Sequence, residues 1–362
     1  LKELAMRTHR IAAIAGDGIG LEVIPAGLEV LRALTERAGD FQLDVVAFPW
    51  GSDFYRATGH MMPEDGLVTL KGFDAIYFGA VGDPHLPDDV TLWGLRLAIC
   101  QGFDQYANIR PTRVLPGLES PLRGLAPGAI DWVIVRENSE GEYAGHGGRA
   151  HRGHEIEVAT ETSIFTRAGV ERIMRTAFAI AQSRPRKLLT VVTKSNAQRH
   201  GMVFWDEIAA TVATGFPDVR WEKELVDAMA ARMVRKPASI DTVVATNLHA
   251  DILSDLAGAL AGSLGVAPTA NLDPSRAHPS MFEPIHGSAF DIMGQGVANP
   301  IATFWTACLM LEHLGERAGA ARLMRAIEAA TARGVLTADL GGTARTSDVT
   351  AAVIEAIRGD NA

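Results

Sequence analysis

The feature that most constrains the fold is a repeated alternation of short, unbroken apolar runs with segments of helical period. "RIAAIAGDGIG" ends a buried run in a glycine turn, and "LEVIPAGLEVLRAL" follows with apolar residues at helical spacing. "LDVVAF" and "FDAIYFGAVG" are two more such runs, and "KLLTVVTK", "VRWEKELV" and "IDTVVAT" recur later, each separated by helical stretches. Strands without polar alternation must be covered on both faces, which is the condition of a parallel sheet between helices. The pattern therefore predicts an α/β fold with at least partly parallel strands. At 362 residues the chain is long enough for two domains or one large α/β unit.

Composition removes several function classes. Hydrophobic residues at 47% and charged residues at 21% describe an ordinary globular protein rather than a disordered one. A net charge of −9, with no run of basic residues, argues against nucleic acid as a partner but leaves room for a local basic pocket and a small anionic ligand. Cys100 and Cys308 stand in no metal-ligand spacing, so a reduced, cytoplasmic protein is expected. "LKELAMRTH" has no apolar core of a leader peptide, and Met6 is a candidate natural start. No segment reaches the roughly 20 apolar residues needed to cross a bilayer, so no membrane partner is expected.

Several stretches carry chemistry. In "ANIRP", Arg110 precedes a proline, which biases its backbone to an extended form and lets its guanidinium grip a carboxylate through two bonds. "DILSD" puts Asp251 and Asp255 four apart on one helix face, and Asp227 is expected to end a strand. The aspartates are either helix-start acids favoured by the dipole or, because no Lys or Arg follows, an oxygen site for Mg²⁺ or Mn²⁺. Lys194 and Asn196 follow "KLLTVV"; such a lysine is either solvated or, near a metal, a proton acceptor. "VRENSEGEY" offers Arg136 as a carboxylate clamp and Tyr143 as a weak acid. "HGSAFDIMGQGVAN", His286 to Asn299, is either a surface loop or a seat for adenosine, with Asp291 accepting from ribose hydroxyls. The early glycines, Gly16, Gly18 and Gly20, do not make a Rossmann fingerprint, which would need glycine at Leu21. The glycine- and histidine-rich middle near 141–160 reads as an exposed hairpin arm suited to pairing with a second subunit.

Taken together, "GDGIG", "NIRP", "VRENSEGEY", "TKSN", "VDAMA", "DILSDL" and "HGSAFDIMGQGVANP" resemble the metal-dependent β-decarboxylating dehydrogenases, with the tartrate and D-malate branch nearest. The resemblance implies an isopropylmalate dehydrogenase-like two-domain fold, with a central mixed sheet flanked by helices, and not a Rossmann fold. Residues 1–105 with 259–362 would form the cofactor domain, and 106–258 the substrate, metal and dimerisation domain. It also implies oxidation of a 2-hydroxy diacid at C2, with Arg110 and Arg136 on its carboxylates and Asp251, Asp255 and a partner-subunit Asp227 on Mn²⁺ or Mg²⁺. Lys194 from the partner would take the hydroxyl proton, and Tyr143 would protonate the carbanion after loss of CO₂. Asn196 would lie near the nicotinamide. His286, Gly287, Ser288, Ala289, Asp291 and Asn299 would hold adenosine, and a carboxylate at Asp291 favours NAD over NADP. A homodimer with shared sites follows, and a monovalent cation is a further candidate cofactor.

One departure bears on specificity. The family places a substrate-binding arginine ten residues before the Arg110 position, where this chain has Cys100. Arg96 lies about 6 Å earlier along the helix and is a candidate replacement; the other reading is a solvated Arg96 with Cys100 in the core. A charged Arg96 disfavours the alternative of 3-isopropylmalate as substrate. The rival of another class, a non-catalytic nucleotide-binding homologue, has no use for Lys194, Tyr143 and three aspartates.

Overall fold

A computed structural model describes residues 6–360, so the five residues before the candidate start Met6 lie outside the described residues. Among the described residues the strands are, in order, β1 (Arg7–Gly16), β2 (Phe41–Phe48), β3 (Ala75–Ala80), β4 (Ala107–Arg113), β5 (Asp131–Glu137) and β6 (Gly141–Ala150). They continue with β7 (Val158–Ile164), β8 (Leu188–Thr193), β9 (Arg220–Leu225), β10 (Thr242–Ala245), β11 (Pro268–Leu272) and β12 (Ser280–Pro284). The chain divides into two compact units, one of residues 1–105, 113–125 and 258–362, the other of 106–112 and 126–257.

In the first unit the strand order is β2-β1-β3-β12-β11. β1 pairs in parallel with β2 and β3, and β12 in parallel with β3, whereas β11 runs antiparallel to β12. Every residue of β3 is buried, as its unbroken apolar sequence requires. The "GDGIG" turn is a packing device. A Cβ on Gly16 would stand 1.9 Å from the Ala80 carbonyl oxygen, and Gly16 takes φ +70°, so only glycine fits. Asp17 is buried and accepts from Ser52 N (2.6 Å), Ser52 Oγ (2.8 Å) and Gly82 N (2.9 Å), which ties two chain segments to the end of β1. β12 is a short strand ahead of the helices Ile301–Leu314, Arg317–Ala332 and Thr346–Gly359; its apolar Met281 and Phe282 are both fully buried beside β3.

In the second unit the order is β4-β5-β10-β8-β9, with β5, β10, β8 and β9 mutually parallel. β6 and β7 form a separate antiparallel pair, Gly147 opposite Glu161, with an irregularity between Gly141 and His146. Asp227 sits in the first turn of the helix Val226–Arg235, not at a strand end, because β9 stops at Leu225. The helix carrying Asp251 begins at Asn247, a turn earlier than its acidic residues suggest. The helix expected over 92–100 is a composite: one turn Asp88–Thr91, a π-helical turn Leu92–Arg96, then Leu97–Gly102. Such π turns alter which side chains share a face.

Candidate active site

The second unit gathers Arg110, Arg136, Tyr143, Asp251 and Asp255. Arg110 lies on β4, extended as its proline neighbour dictates, and is 5% exposed. Its Nε donates to Asn108 Oδ1 (2.9 Å), and its Nη1 donates to Ser254 Oγ (2.5 Å) and approaches Asp251 Oδ1 at 3.4 Å. Arg136, on β5 and 3% exposed, is held in the same way. Its Nε donates to Asn247 Oδ1 (2.9 Å) and its Nη1 to Asp251 Oδ1. Asn247 Nδ2 in turn donates to the Glu140 carbonyl (3.1 Å). Tyr143 lies under the Arg136 guanidinium, ring centroid 5.3 Å away, and its hydroxyl donates to Asp251 Oδ2 (3.3 Å).

Two buried guanidiniums are costly unless compensated. Here Asp251 and Asp255 balance them charge for charge. Burial, then the neighbouring Asp251 charge, pushes the Asp255 carboxyl above its usual range against the pull of Arg110 and Arg136. A carboxyl in that state has more to gain from a cation than an exposed one.

Lys194 follows β8, and its Nζ donates to Asp227 Oδ1 at 2.6 Å; that hydrogen bond is the main reason the Asp227 carboxyl titrates low. Asn196 is exposed in the turn after Lys194. Among the described residues no three His, Cys, Asp or Glu side chains stand close enough to hold a metal ion. Asp251 and Asp255 therefore supply two carboxylates, and Asp227 of the same chain does not join them.

Sequence reasoning missed Asn108, Asn247 and Ser254, all buried. A signal existed for the first: residues 108 and 110 are two apart on a strand and share a face. It also missed Glu137, at the end of β5 and 2% exposed. Glu137 accepts from Ser139 N (2.9 Å), Ser139 Oγ (2.5 Å) and Glu140 N (2.8 Å), yet burial pushes its carboxyl up to about 7.

The first unit carries the loop from His286 to Asn299. His286 Nδ1 is 3.0 Å from the Gly287 carbonyl and donates to it, so Nε2 carries the lone pair; that buried atom has no partner. Burial holds the imidazole below its usual range, hence neutral at pH 7. Ser288 receives Ile19 N on its carbonyl (2.8 Å) and fills the space where a Cβ on Gly18 would stand. Ala289 has φ +40°, Gly287 has open space beside it, and Asp291 is exposed. Glu22 straps the loop by accepting from Gly294 N (2.5 Å) and Gly296 N (2.8 Å). Asn299 is buried, with Nδ2 on Asp339 Oδ2 (2.9 Å) and Oδ1 receiving Ile301 N (3.0 Å).

Arg96 also lies in the first unit and is not solvated. Its Nε sits 2.9 and 3.1 Å from the two oxygens of Glu283, and its Nη2 is 2.8 Å from Oε1. Asn271 Nδ2 donates to the same oxygen at 2.8 Å. Cys100 is 1% exposed in an apolar cluster with Leu95, Ile99, Phe103 and Met281.

The model of the isocitrate/isopropylmalate dehydrogenase family matches residues 10–357, and the chain belongs to that family of oxidoreductases. The expected α/β fold is that of the family: an isocitrate dehydrogenase from Methylococcus capsulatus superposes with a TM-score of 0.87 at 32% identity, covering 97% of this chain and 99% of the other. Within the family, the chain is 72% identical over 356 residues to a probable tartrate dehydrogenase/decarboxylase of Agrobacterium vitis, spanning 98% of this chain and 99% of the relative. It is 50% identical to the decarboxylating D-malate dehydrogenase of Escherichia coli K12, over 97% and 99% of the two chains. A tartrate dehydrogenase/decarboxylase of Pseudomonas putida is 48% identical over 97% and 98%. No helix among the described residues is long and apolar enough to cross a membrane.

Proposed function

We propose that the protein oxidises a small 2-hydroxy diacid, D-malate or a tartrate, at C2 with NAD, and releases CO₂ where a carboxylate is β to the new carbonyl. The observation that carries this reading is the convergence of Arg110, Arg136 and Tyr143 on Asp251, one helical turn before Asp255. That group has no net charge, so a divalent cation and a dianionic substrate can enter together without leaving a buried charge uncompensated. Hard carboxylate oxygens suit Mg²⁺ or Mn²⁺.

Asp251 and Asp255, with Asp227 of a second copy, would hold a divalent ion that would supply Lewis-acid stabilisation of oxygen charge, and bound NAD would be the hydride acceptor. Arg110 and Arg136 bind the carboxylates end-on. Lys194 of the second copy takes the hydroxyl proton as the C2 hydride leaves. When the β-carboxylate departs as CO₂, its bonding electrons remain on C3 and Tyr143 delivers the proton there. The His286–Asn299 loop holds the adenosine half: the unpartnered Nε2 is an acceptor for a base amine, and Asp291 an acceptor for ribose hydroxyls. The homodimer pairs through the β6–β7 arm and the exposed apolar side chains Val234, Leu248 and Ile252, and its two reduced cysteines suit the cytoplasm.

An NADH-production screen with Mn²⁺ over D-malate, the tartrates, isocitrate and 3-isopropylmalate tests the reading. Turnover of D-malate or a tartrate supports it. Turnover of 3-isopropylmalate alone refutes the substrate assignment, and silence with every substrate favours a nucleotide-binding homologue.

A further inference from the structure

Asn108 and Asn247 act on different strands and helices but do the same thing. Each is almost fully buried, and each presents its side-chain carbonyl to the Nε of one site arginine at 2.9 Å. A guanidinium can meet a carboxylate side-on, through Nε and one Nη, or end-on, through its two Nη groups. With Nε taken by an asparagine, the side-on approach is closed at both Arg110 and Arg136. Both planes are then fixed with their Nη ends toward the same oxygen, Asp251 Oδ1. Asn247 is itself tied to the loop after β5 through the Glu140 carbonyl, so its amide cannot turn without losing a second bond.

We infer that Asn108 and Asn247 are the positioning residues of the diacid site, which orient Arg110 and Arg136 for end-on capture of two carboxylates and thereby set the preference for diacids over monoacids. The inference rests on the proposed diacid chemistry. An alanine at either position removes the asparagine acceptor from Nε and loosens the orientation of the guanidinium plane, while the Nη1 bonds to Asp251 remain. The loss of one hydrogen bond to a charged group corresponds to roughly a ten- to hundredfold loss in substrate affinity.

The test is steady-state kinetics of Asn108→Ala, Asn247→Ala and the conservative Asn247→Asp, together with calorimetric binding of succinate, a diacid with no hydroxyl to oxidise. The alanine variants are expected to raise KM for the diacid and Kd for succinate about tenfold or more, leave KM for NAD unchanged, and narrow the preference for D-malate over D-lactate. Asn247→Asp keeps the acceptor for Arg136 Nε but loses the bond to the Glu140 carbonyl and adds a negative charge, so it is expected to raise the diacid KM while keeping more of the preference for diacids than Asn247→Ala. An unchanged diacid KM and preference in soluble, folded alanine variants overturns the positioning role. A parallel rise in the KM of NAD and loss of thermal stability assigns the asparagines to general packing and overturns it as well. If wild-type protein turns over no diacid, the proposed function fails instead, and the succinate titration still reads whether the asparagines orient the arginines.

Discussion

Glu137 gives the structure a pH dependence that can be worked out in advance. Its carboxyl titrates near 4.5 when exposed and at about 7 in the fold, where burial outweighs the hydrogen bonds from Ser139 and Glu140. Between those values the folded protein binds more protons at this site than the unfolded chain. Stability therefore falls as pH rises from about 4.5 to 7 and is insensitive to this group above that. The gap corresponds to about 3 kcal/mol, of which nothing is felt below pH 4.5 and all of it above pH 7. Glu137→Gln removes the titration, though its amide NH₂ then faces the Glu140 N–H, so the variant has its own constant penalty. The informative quantity is the difference between the two urea-unfolding free energies across pH. It is expected to shift by roughly 2–3 kcal/mol in favour of the variant from pH 5 to pH 8. Parallel curves for the two proteins over that range would refute the reasoning.

Other consequences are independent of this one. Arg96→Ala strips the counter-ion from buried Glu283 and is expected to destabilise the protein by about 3–5 kcal/mol, with Glu283→Gln restoring much of it in the double variant; thermal unfolding measures both. A diacid KM that stays raised in that double variant supports Arg96 as a substrate ligand, and a KM back at the wild-type value removes it. Arg110→Ala and Lys194→Ala are each expected to be inactive. Co-expressed, they are expected to recover about a quarter of wild-type activity through heterodimers with one intact site, and no recovery argues against shared sites. Gly18→Ala forces φ +56° on a β-carbon that would stand 1.9 Å from the Ser288 carbonyl oxygen. A loss of about 2–3 kcal/mol and a higher KM for NAD are expected, by thermal melts and kinetics.

Much of the fold was legible because buried parallel strands write themselves as unbroken apolar runs, as at Ala75–Ala80 and Leu188–Thr193. "SMFEP" escaped because its burial on both sides shows only once it lies beside β3, and a run of five ending in Glu-Pro has no period of its own. The start of the 247–260 helix is hidden in the sequence because its first turn carries Asn-Leu-His rather than an acid. The site residues themselves could be nominated from residue type, but their partners could not. Glu283 meets Arg96 across 187 positions of sequence, and Asn247 meets Arg136 across 111. Such pairings are set by strand order, which no local spacing encodes.

The most direct test of the central claim uses D-malate deuterated at C2, with NAD and Mn²⁺, followed by mass spectrometry of the reduced nucleotide and measurement of released CO₂. The account expects one deuterium in each NADH formed and a matching quantity of CO₂. Absence of reduced nucleotide, or NADH that carries no deuterium, would contradict it.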